Sequence, residues 1–131
     1  MRLNHLVDKF HERYCNVFES SSHFYYSSAA FLTMKALDVA STYLNVSKYG
    51  IQEGEGNELT KWAMETFGVT PGLAIKNIPL IVAALGIGYL VNKNLKDEMP
   101  NIGSILLYAV ALKGYLISAQ NFFYYFHKST L

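Results

Sequence analysis

The fold is decided by residues 31–45, which read FLTMKALDVASTYLN. Asp38 and four other polar residues of this stretch, which lie three, four or seven positions from it, share one face of an α-helix. The five residues are Lys35, Asp38, Ser41, Thr42 and Asn45. The residues around them are mostly apolar, which suits a helix whose other faces meet lipid or packed protein. Because two charges near the middle of such a helix are costly, we expect them to have partners.

The composition is apolar and weakly charged. Of the 131 residues, 51% are hydrophobic and 16% are charged, against about 25% charged residues in typical soluble domains. The formal net charge of +1 offers no electrostatic basis for binding nucleic acid. One cysteine, Cys15, excludes an intrachain disulfide framework.

Hydrophobic periodicity predicts an all-α protein. Segment 1–22 is predicted to hold an amphipathic helix, which is suited either to lie on a membrane surface or to cover a helical bundle. The remainder, 23–131, is predicted to form a membrane domain. It has three long helices, at about 23–47, 71–92 and 102–126, and one short helix at about 58–67. No strand is expected.

Capping and turn residues set the bounds of these helices. Serines at 20–22 are expected to cap the first long helix, which Gly50 ends, and residues 50–57 are predicted to form a loop. Asn57 is expected to cap the short helix, which Gly68 ends. Pro71 suits the first turn of the next helix, and a polar turn is predicted over 92–101.

The three long helices are each near the roughly 20 residues that cross a bilayer. Aromatic residues gather at their ends, as at membrane interfaces, and small residues are frequent within them. Ala84 and Gly88 form a small-x-x-x-small pair, which we assign to packing inside the chain rather than to a homodimer. The alternative is a soluble helical interaction domain, since Lys35, Asp38, Lys76 and Lys113 interrupt the apolar segments.

The distribution of Lys and Arg predicts the orientation of a three-span protein. The N-terminal segment and the 92–101 turn share one side and carry five such residues, whereas the 48–71 segment and the tail carry three: Arg2, Lys9, Arg13, Lys93 and Lys96 against Lys48, Lys61 and Lys128. This bias favours an integral membrane protein with a cytoplasmic N-terminus. The short helix would then lie at the outer interface or re-enter the membrane.

The motif Leu37-Asp38-x-x-Ser41-Thr42, then Gly50, Glu55-Gly56-Asn57 and a lysine in the next span, Lys76, resembles a family of small prokaryotic membrane proteins of unknown function. That family has the pattern L-D-x-x-[ST]-T, a glycine, E-x-N-P and a lysine. The resemblance implies a polytopic helical fold and a shared polar set of Asp38, Glu55, Asn57 and Lys76. Glu58 stands where the family usually has proline.

Three explanations are open for the charges within the long helices. Lys35 and Asp38 are one helical turn apart, and Lys113 can reach Asp38 if the first and third long helices are neighbours, with Gln120 two turns further along the same face as Lys113. The charges can form a buried ion-pair network that sets helix register, an ion or proton path through Asp38, or a contact with a partner subunit.

No catalytic, nucleotide-binding or metal-ligand motif accompanies these residues, and no cofactor is expected. The sequence therefore predicts a non-enzymatic accessory or structural subunit of a larger membrane assembly, embedded in the lipid bilayer and bound to other membrane-protein subunits. A homo-oligomer stays open. The alternatives are a small ion- or proton-conducting, holin-like pore former that uses Asp38, and the soluble interaction domain.

Overall fold

The computed structural model describes residues 2–18 and 22–127, and the regular elements in these two ranges are all helices. In chain order they are α1 (Arg2–Phe18), α2 (Ser22–Tyr49), α3 (Ile51–Gly54), α4 (Glu58–Phe67), α5 (Val69–Asn94) and α6 (Ile102–His127). The predicted all-α class is confirmed. The proposed caps Ser20 and Ser21 lie outside the described residues.

The helix bounds follow the capping residues. The three long helices, α2, α5 and α6, begin and end within two residues of the predicted positions. Gly50 and Gly68 both have positive φ, of 86° and 97°, and they end α2 and α4 as predicted. The Asn57 side chain accepts a hydrogen bond from the Thr60 backbone N–H at 3.1 Å, which confirms Asn57 as the cap of α4.

The prediction of a loop over 50–57 was wrong in its first half, because α3 occupies Ile51–Gly54. A Cβ on Gly54 would lie 2.6 Å from backbone atoms of Asn45 and Val46, so α3 packs directly on the end of α2. This contact stabilises one helical turn that is too short to show a hydrophobic period. The Gln52 side chain also donates a hydrogen bond to Glu65 and so ties α3 to α4.

The three long helices form a bundle in which α2 and α6 run in the same direction. The Tyr115 hydroxyl donates to the Ala30 carbonyl at 3.0 Å, and near the other end the Tyr49 hydroxyl donates to the Tyr125 carbonyl at 3.0 Å. Helix α5 runs in the opposite direction, since the turn at 95–101 joins it directly to α6. Among the described helices, α2 and α6 have the most extensive contact with each other.

Two small clusters of buried apolar residues hold the helices together. The first joins α2 to α6 through Phe31, Met34, Leu107 and Ala111. The second lies at the other end of the bundle, where Val46 of α2, Met64 of α4 and Leu73 of α5 meet. Helix α4 is therefore fastened to the side of the bundle and does not form a separate unit.

Helices α5 and α6 approach most closely at two glycines. A Cβ on Gly103 would lie 2.2 Å from the Gly88 carbonyl oxygen, so neither helix has room for a side chain there. Ala84, one turn before Gly88, packs against the first apolar cluster. The small-x-x-x-small pair thus packs inside the chain, as predicted. Beside it, the Asn92 side chain accepts from the Ser104 N–H at 3.1 Å and so caps α6 from α5.

Two helices of the described chain are long and apolar enough to cross a membrane, α5 and α6. Their best windows have mean hydropathies of 1.8 and 1.6. Helix α2 has 28 residues but does not reach the same hydropathy. Its polar row accounts for the difference.

Helix α1 does not cover the bundle with its apolar side. Leu3, Leu6, Val7 and Phe10 are between 57% and 72% exposed. Tyr14 is buried instead, and its hydroxyl donates to the Pro100 carbonyl oxygen at 2.8 Å, in the turn between α5 and α6. Of the two roles open for this helix, covering the bundle is therefore excluded for residues 3–10.

Candidate functional site

A charged cleft lies between α2, α5 and α6 at about the middle of their length. Its volume is about 280 Å³, and its walls include Lys35 and Asp38 of α2 and Lys113 of α6. Lys35 and Lys113 lie near the central residues of their helices. The cleft therefore gathers three charges from two helices far from either end of the bundle. We call it the charged cleft.

The sequence builds this cleft from one helical turn and two small residues. Lys35 and Asp38 are three residues apart, so their side chains leave α2 on the same side. Opposite them, Ala84 and Gly114 line the cleft with little or no side chain. A Cβ on Gly114 would lie 2.1 Å from the Met34 sulfur, so α6 rests directly against α2.

The charges of the cleft are not ion-paired with one another. An ion pair is formed elsewhere, between Lys61 and Glu58 on α4, at 3.2 Å. The first and third long helices are indeed neighbours, and Asp38 and Lys113 line the same cleft, but no nitrogen–oxygen distance between them falls within 4.0 Å. Asp38 is half-buried and Lys113 is exposed.

Lys35 is held by an amide rather than by a carboxylate. Its Nζ lies 3.5 Å from the Asn77 Oδ1, and Asn77 in turn donates to the Leu73 carbonyl at 2.8 Å. Asp38 and Lys76 are both close enough to Lys35 to act on its charge. Asn77 is 4% exposed and is a site residue that the sequence reading missed. The position of this asparagine within an apolar segment could have indicated that its side chain is buried and hydrogen-bonded.

Lys76 belongs to a different surface of α5. It lines a pocket of about 310 Å³ between α4 and α5, together with Trp62 and Pro79. Its ammonium group is therefore near the charged cleft without being part of its wall. The predicted polar network of the long helices is split between two sides of α5 at this point.

The second half of the polar row on α2 forms a packing seam against α6. Ser41 and Thr42 are buried, and the buried Asn45 side chain donates to the Asn121 carbonyl at 2.9 Å and to the Ser41 carbonyl at 3.0 Å. The Asn121 amide donates to the Ser41 hydroxyl at 3.4 Å. These bonds fix the register of α2 on α6.

Gln120 was predicted to join this network but is exposed. Asn121, the next residue, takes the interhelical position instead. A change of one residue rotates a side chain by about 100° around the helix, which is enough to move it from the interface to the outer surface. Gln120 therefore takes no part in this seam, and the neighbouring Asn121 makes the interhelical hydrogen bonds instead.

The loop motif has a local structural role. The Glu55 carboxylate accepts from the Asn57 backbone N–H at 2.9 Å, and Asn57 caps α4. Glu58 begins α4, is 86% exposed and pairs with Lys61 one turn later. Acidic and amide oxygens at this position satisfy the free N–H groups of the helix start. Neither Glu55 nor Asn57 reaches the charged cleft.

A second, mostly apolar cleft runs along the outside of α2 and α5. Its volume is about 620 Å³, and Lys35 and Asn77 supply part of its small polar surface. Lys35 thus lies between the two clefts and borders both. In residues 2–18 and 22–127 no group of three or more His, Cys, Asp or Glu side chains is arranged to hold a metal ion.

No protein-family model, curated protein or solved structure matches this chain.

Proposed function

We propose that the protein crosses a membrane three times, through α2, α5 and α6, and is a non-enzymatic subunit of a larger membrane assembly. The position of the apolar side chains supports the membrane. Only 11% of the apolar window of α5 and 28% of that of α6 is buried within the chain. The core helix of a soluble protein would hide most of these residues, whereas a bilayer covers them with lipid.

The direction of the helices supports α2 as a third crossing. Helices α2 and α6 run in the same direction, and α5, which comes between them in the chain, runs in the opposite direction. These directions are those of a chain that crosses a membrane three times. At 28 residues, α2 has a length of about 42 Å, more than the hydrocarbon thickness. The polar row that lowers its hydropathy is turned towards α6 at Ser41 and Asn45, where lipid does not meet it.

The connecting segments suit the two membrane surfaces. Trp62 and Phe67 of α4 are exposed and their rings are in edge contact at 6.0 Å, as expected for a short helix in the interfacial layer. The excess of Lys and Arg in the N-terminal segment and near the 95–101 turn favours the cytoplasm for that end. The family resemblance of the polar motif, which implies a polytopic protein, is part of the same proposal.

Single-cysteine labelling in intact cells tests the three crossings. In a Cys15→Ala background, Asp8→Cys, Gly56→Cys and Lys96→Cys place one thiol on α1, on the loop before α4 and on the turn after α5; all three positions are exposed. If the chain crosses three times, Asp8→Cys and Lys96→Cys lie on the same side of the membrane and react alike with an impermeant maleimide. Gly56→Cys then lies on the other side, so it reacts when they do not, or fails to react when they do. If only α5 and α6 cross, Asp8→Cys and Gly56→Cys react alike, and Lys96→Cys lies on the other side. Recovery in the soluble fraction contradicts both.

The charged cleft is the observation that carries the subunit proposal. In the wall of the cleft, Lys35 and Lys113 stand against a single Asp38, so positive charge is in excess there. The charge of Lys76, on another surface of α5, also acts on Lys35. An excess of charge at membrane depth is costly unless another chain neutralises it. A transmembrane helix with a carboxylate at the same depth supplies the missing charge.

The charge excess also argues against a second copy in this cleft. Two copies would bring their lysines together without adding net negative charge, and like charges across an interface are unfavourable. We therefore place a different membrane protein in the cleft.

Replacing Lys113 tests this pairing. Because Lys113 is exposed, Lys113→Ala removes the charge and leaves the fold of the bundle in place. The protein is extracted from its own membrane in mild detergent, and the proteins that remain bound are identified and quantified. We expect the affinity of the variant for its companions to fall about 30-fold or more, because removing one partner of a desolvated charge pair costs about 2–5 kcal/mol. Lys93→Ala, an exposed lysine at the end of α5, is the matched control.

Two results would overturn the proposal. Companions that remain unchanged in Lys113→Ala would show that the cleft does not bind them, and purification as a monomer or homo-oligomer would remove the subunit role. In the second case the conducting alternative is tested directly. Pure protein in liposomes would then pass ions or protons, and Asp38→Asn would abolish the flux.

A further inference from the structure

Helix α1 presents an apolar stripe that no other part of the described chain covers. Leu3, Val7 and Phe10 recur at spacings of four and three residues and are 57% to 72% exposed. Leu6 widens the stripe on one side. Four neighbouring large apolar side chains on one short helix are more than scattered surface hydrophobicity, and they indicate a docking surface.

The attachment of α1 determines the direction in which this stripe points. Tyr14 follows Phe10 by four residues and Val7 by seven, so it lies on the same stripe. Its side chain is buried and reaches Pro100, in the turn between the end of α5 and the start of α6. The remaining residues of the stripe therefore lie on the same side of α1 as Tyr14, but the bundle does not cover them.

The membrane surface occupies this position if α5 and α6 cross the bilayer. The 95–101 turn, which Tyr14 contacts, then lies at the level of the lipid headgroups. A helix held at that level, with its apolar stripe towards the hydrocarbon, has the geometry of an interfacial helix.

The charges of α1 are arranged asymmetrically around the stripe. Lys9 and Arg13 border it on the side of Leu6, and together with Leu6, Val7 and Phe10 they line one shallow surface depression. Asp8 and Glu12 lie further round the helix, away from the stripe. Basic residues therefore lie beside the apolar surface and acidic residues away from it, which complements an anionic lipid surface.

We infer that α1 is a docking helix for an anionic bilayer surface, with Leu3, Leu6, Val7 and Phe10 in the interfacial layer and Lys9 and Arg13 on lipid phosphates. The inference rests on the proposed crossing of the membrane by the bundle. It adds a lipid partner at a site separate from the charged cleft. It also fixes α1 to the same membrane surface as the 95–101 turn.

Fluorophore accessibility in vesicles tests the inference on the full chain. Val7→Cys on the stripe and Asp8→Cys, about 100° further round the helix and off the stripe, carry the same environment-sensitive probe, each in a Cys15→Ala background. The protein is reconstituted in phosphatidylcholine with and without phosphatidylglycerol. We expect quenching of the Val7→Cys probe by acrylamide to be several-fold weaker than that of Asp8→Cys, and the difference to grow with phosphatidylglycerol. Lys9→Glu combined with Arg13→Glu removes the dependence on phosphatidylglycerol.

The opposite results are equally specific. Equal quenching of the two probes in protein that stays in the vesicles contradicts the lipid contact of α1 and leaves the crossings intact. Protein that washes off the vesicles contradicts the crossings themselves. Protection of Val7→Cys that depends on protein density, and not on lipid composition, assigns the stripe to a second copy of this chain and overturns the inference.

Discussion

Gly103→Ala is expected to destabilise the bundle more than any other single methyl addition. The new Cβ would lie 2.2 Å from the Gly88 carbonyl oxygen and 2.8 Å from the Asn92 side-chain oxygen. The nearest atom belongs to a helix backbone and cannot rotate away, so α5 and α6 have to separate. Overpacking of this kind costs about 3 kcal/mol. Part of that cost is the weakening of the cap that Asn92 supplies to α6.

Gly86→Ala is the matched control for this change. Gly86 lies on α5 only two residues before Gly88, but a Cβ there meets no atom within 4 Å. Alanine is also the better helix former, so this variant should keep or slightly raise the stability. The free energy of unfolding is measured in detergent micelles by titration with SDS. Equal stability of Gly103→Ala and Gly86→Ala would contradict the close approach of α5 and α6.

Leu107→Ala is expected to have the second largest effect. Leu107 is 4% exposed and packs with Phe31 and Ala111, and its Cδ1 lies 3.0 Å from the position of a Cβ on Gly88. Truncation leaves a cavity where α2, α5 and α6 meet. Buried leucines cost about 2–5 kcal/mol when they are replaced by alanine, and a value near the lower end is expected where packing alone drives helix association.

The adjacent residue provides a control of identical chemistry. Leu106 is 52% exposed on the outer face of the same helix, so Leu106→Ala removes the same atoms without opening a cavity. The same SDS titration should show a loss of stability for Leu107→Ala and almost none for Leu106→Ala. The reverse order would mean that α6 is rotated relative to the bundle described here.

Much of the helical framework was predictable because its signals are local. Gly50, Gly68 and Asn57 end or cap helices through their own backbone preferences or side-chain bonds, which depend on a few neighbouring residues. Helix α3 was missed because its support comes from Gly54 packing on α2, a contact that sequence periodicity does not encode. Ala84 and Gly88 were recognised as packing residues because small side chains at that spacing suit a helix crossing.

The candidate site was predictable in composition and only partly in arrangement. Lys35, Asp38 and Lys113 do line one cleft, since α2 and α6 are neighbours. The position of Lys76 on another face of α5 and the exchange of Gln120 for Asn121 depend on helix rotation. Rotation is set by packing at Gly103, Gly114 and Met34, which involves pairs of residues far apart in the chain.

The amino-acid sequence alone determined that this chain is helical, where its long helices lie and that charges interrupt its apolar segments, because these properties follow from local periodicity and composition. Only the tertiary structure decided that Ser41 and Asn45 seal the α2–α6 interface while Lys35, Asp38 and Lys113 face an open cleft. Lys35, Asp38, Ser41 and Asn45 all belong to the same polar face of α2. They differ because Ser41 and Asn45 meet Asn121 of α6 directly, whereas a cleft between α2, α5 and α6 opens beside Lys35 and Asp38. That difference arises from packing between distant segments.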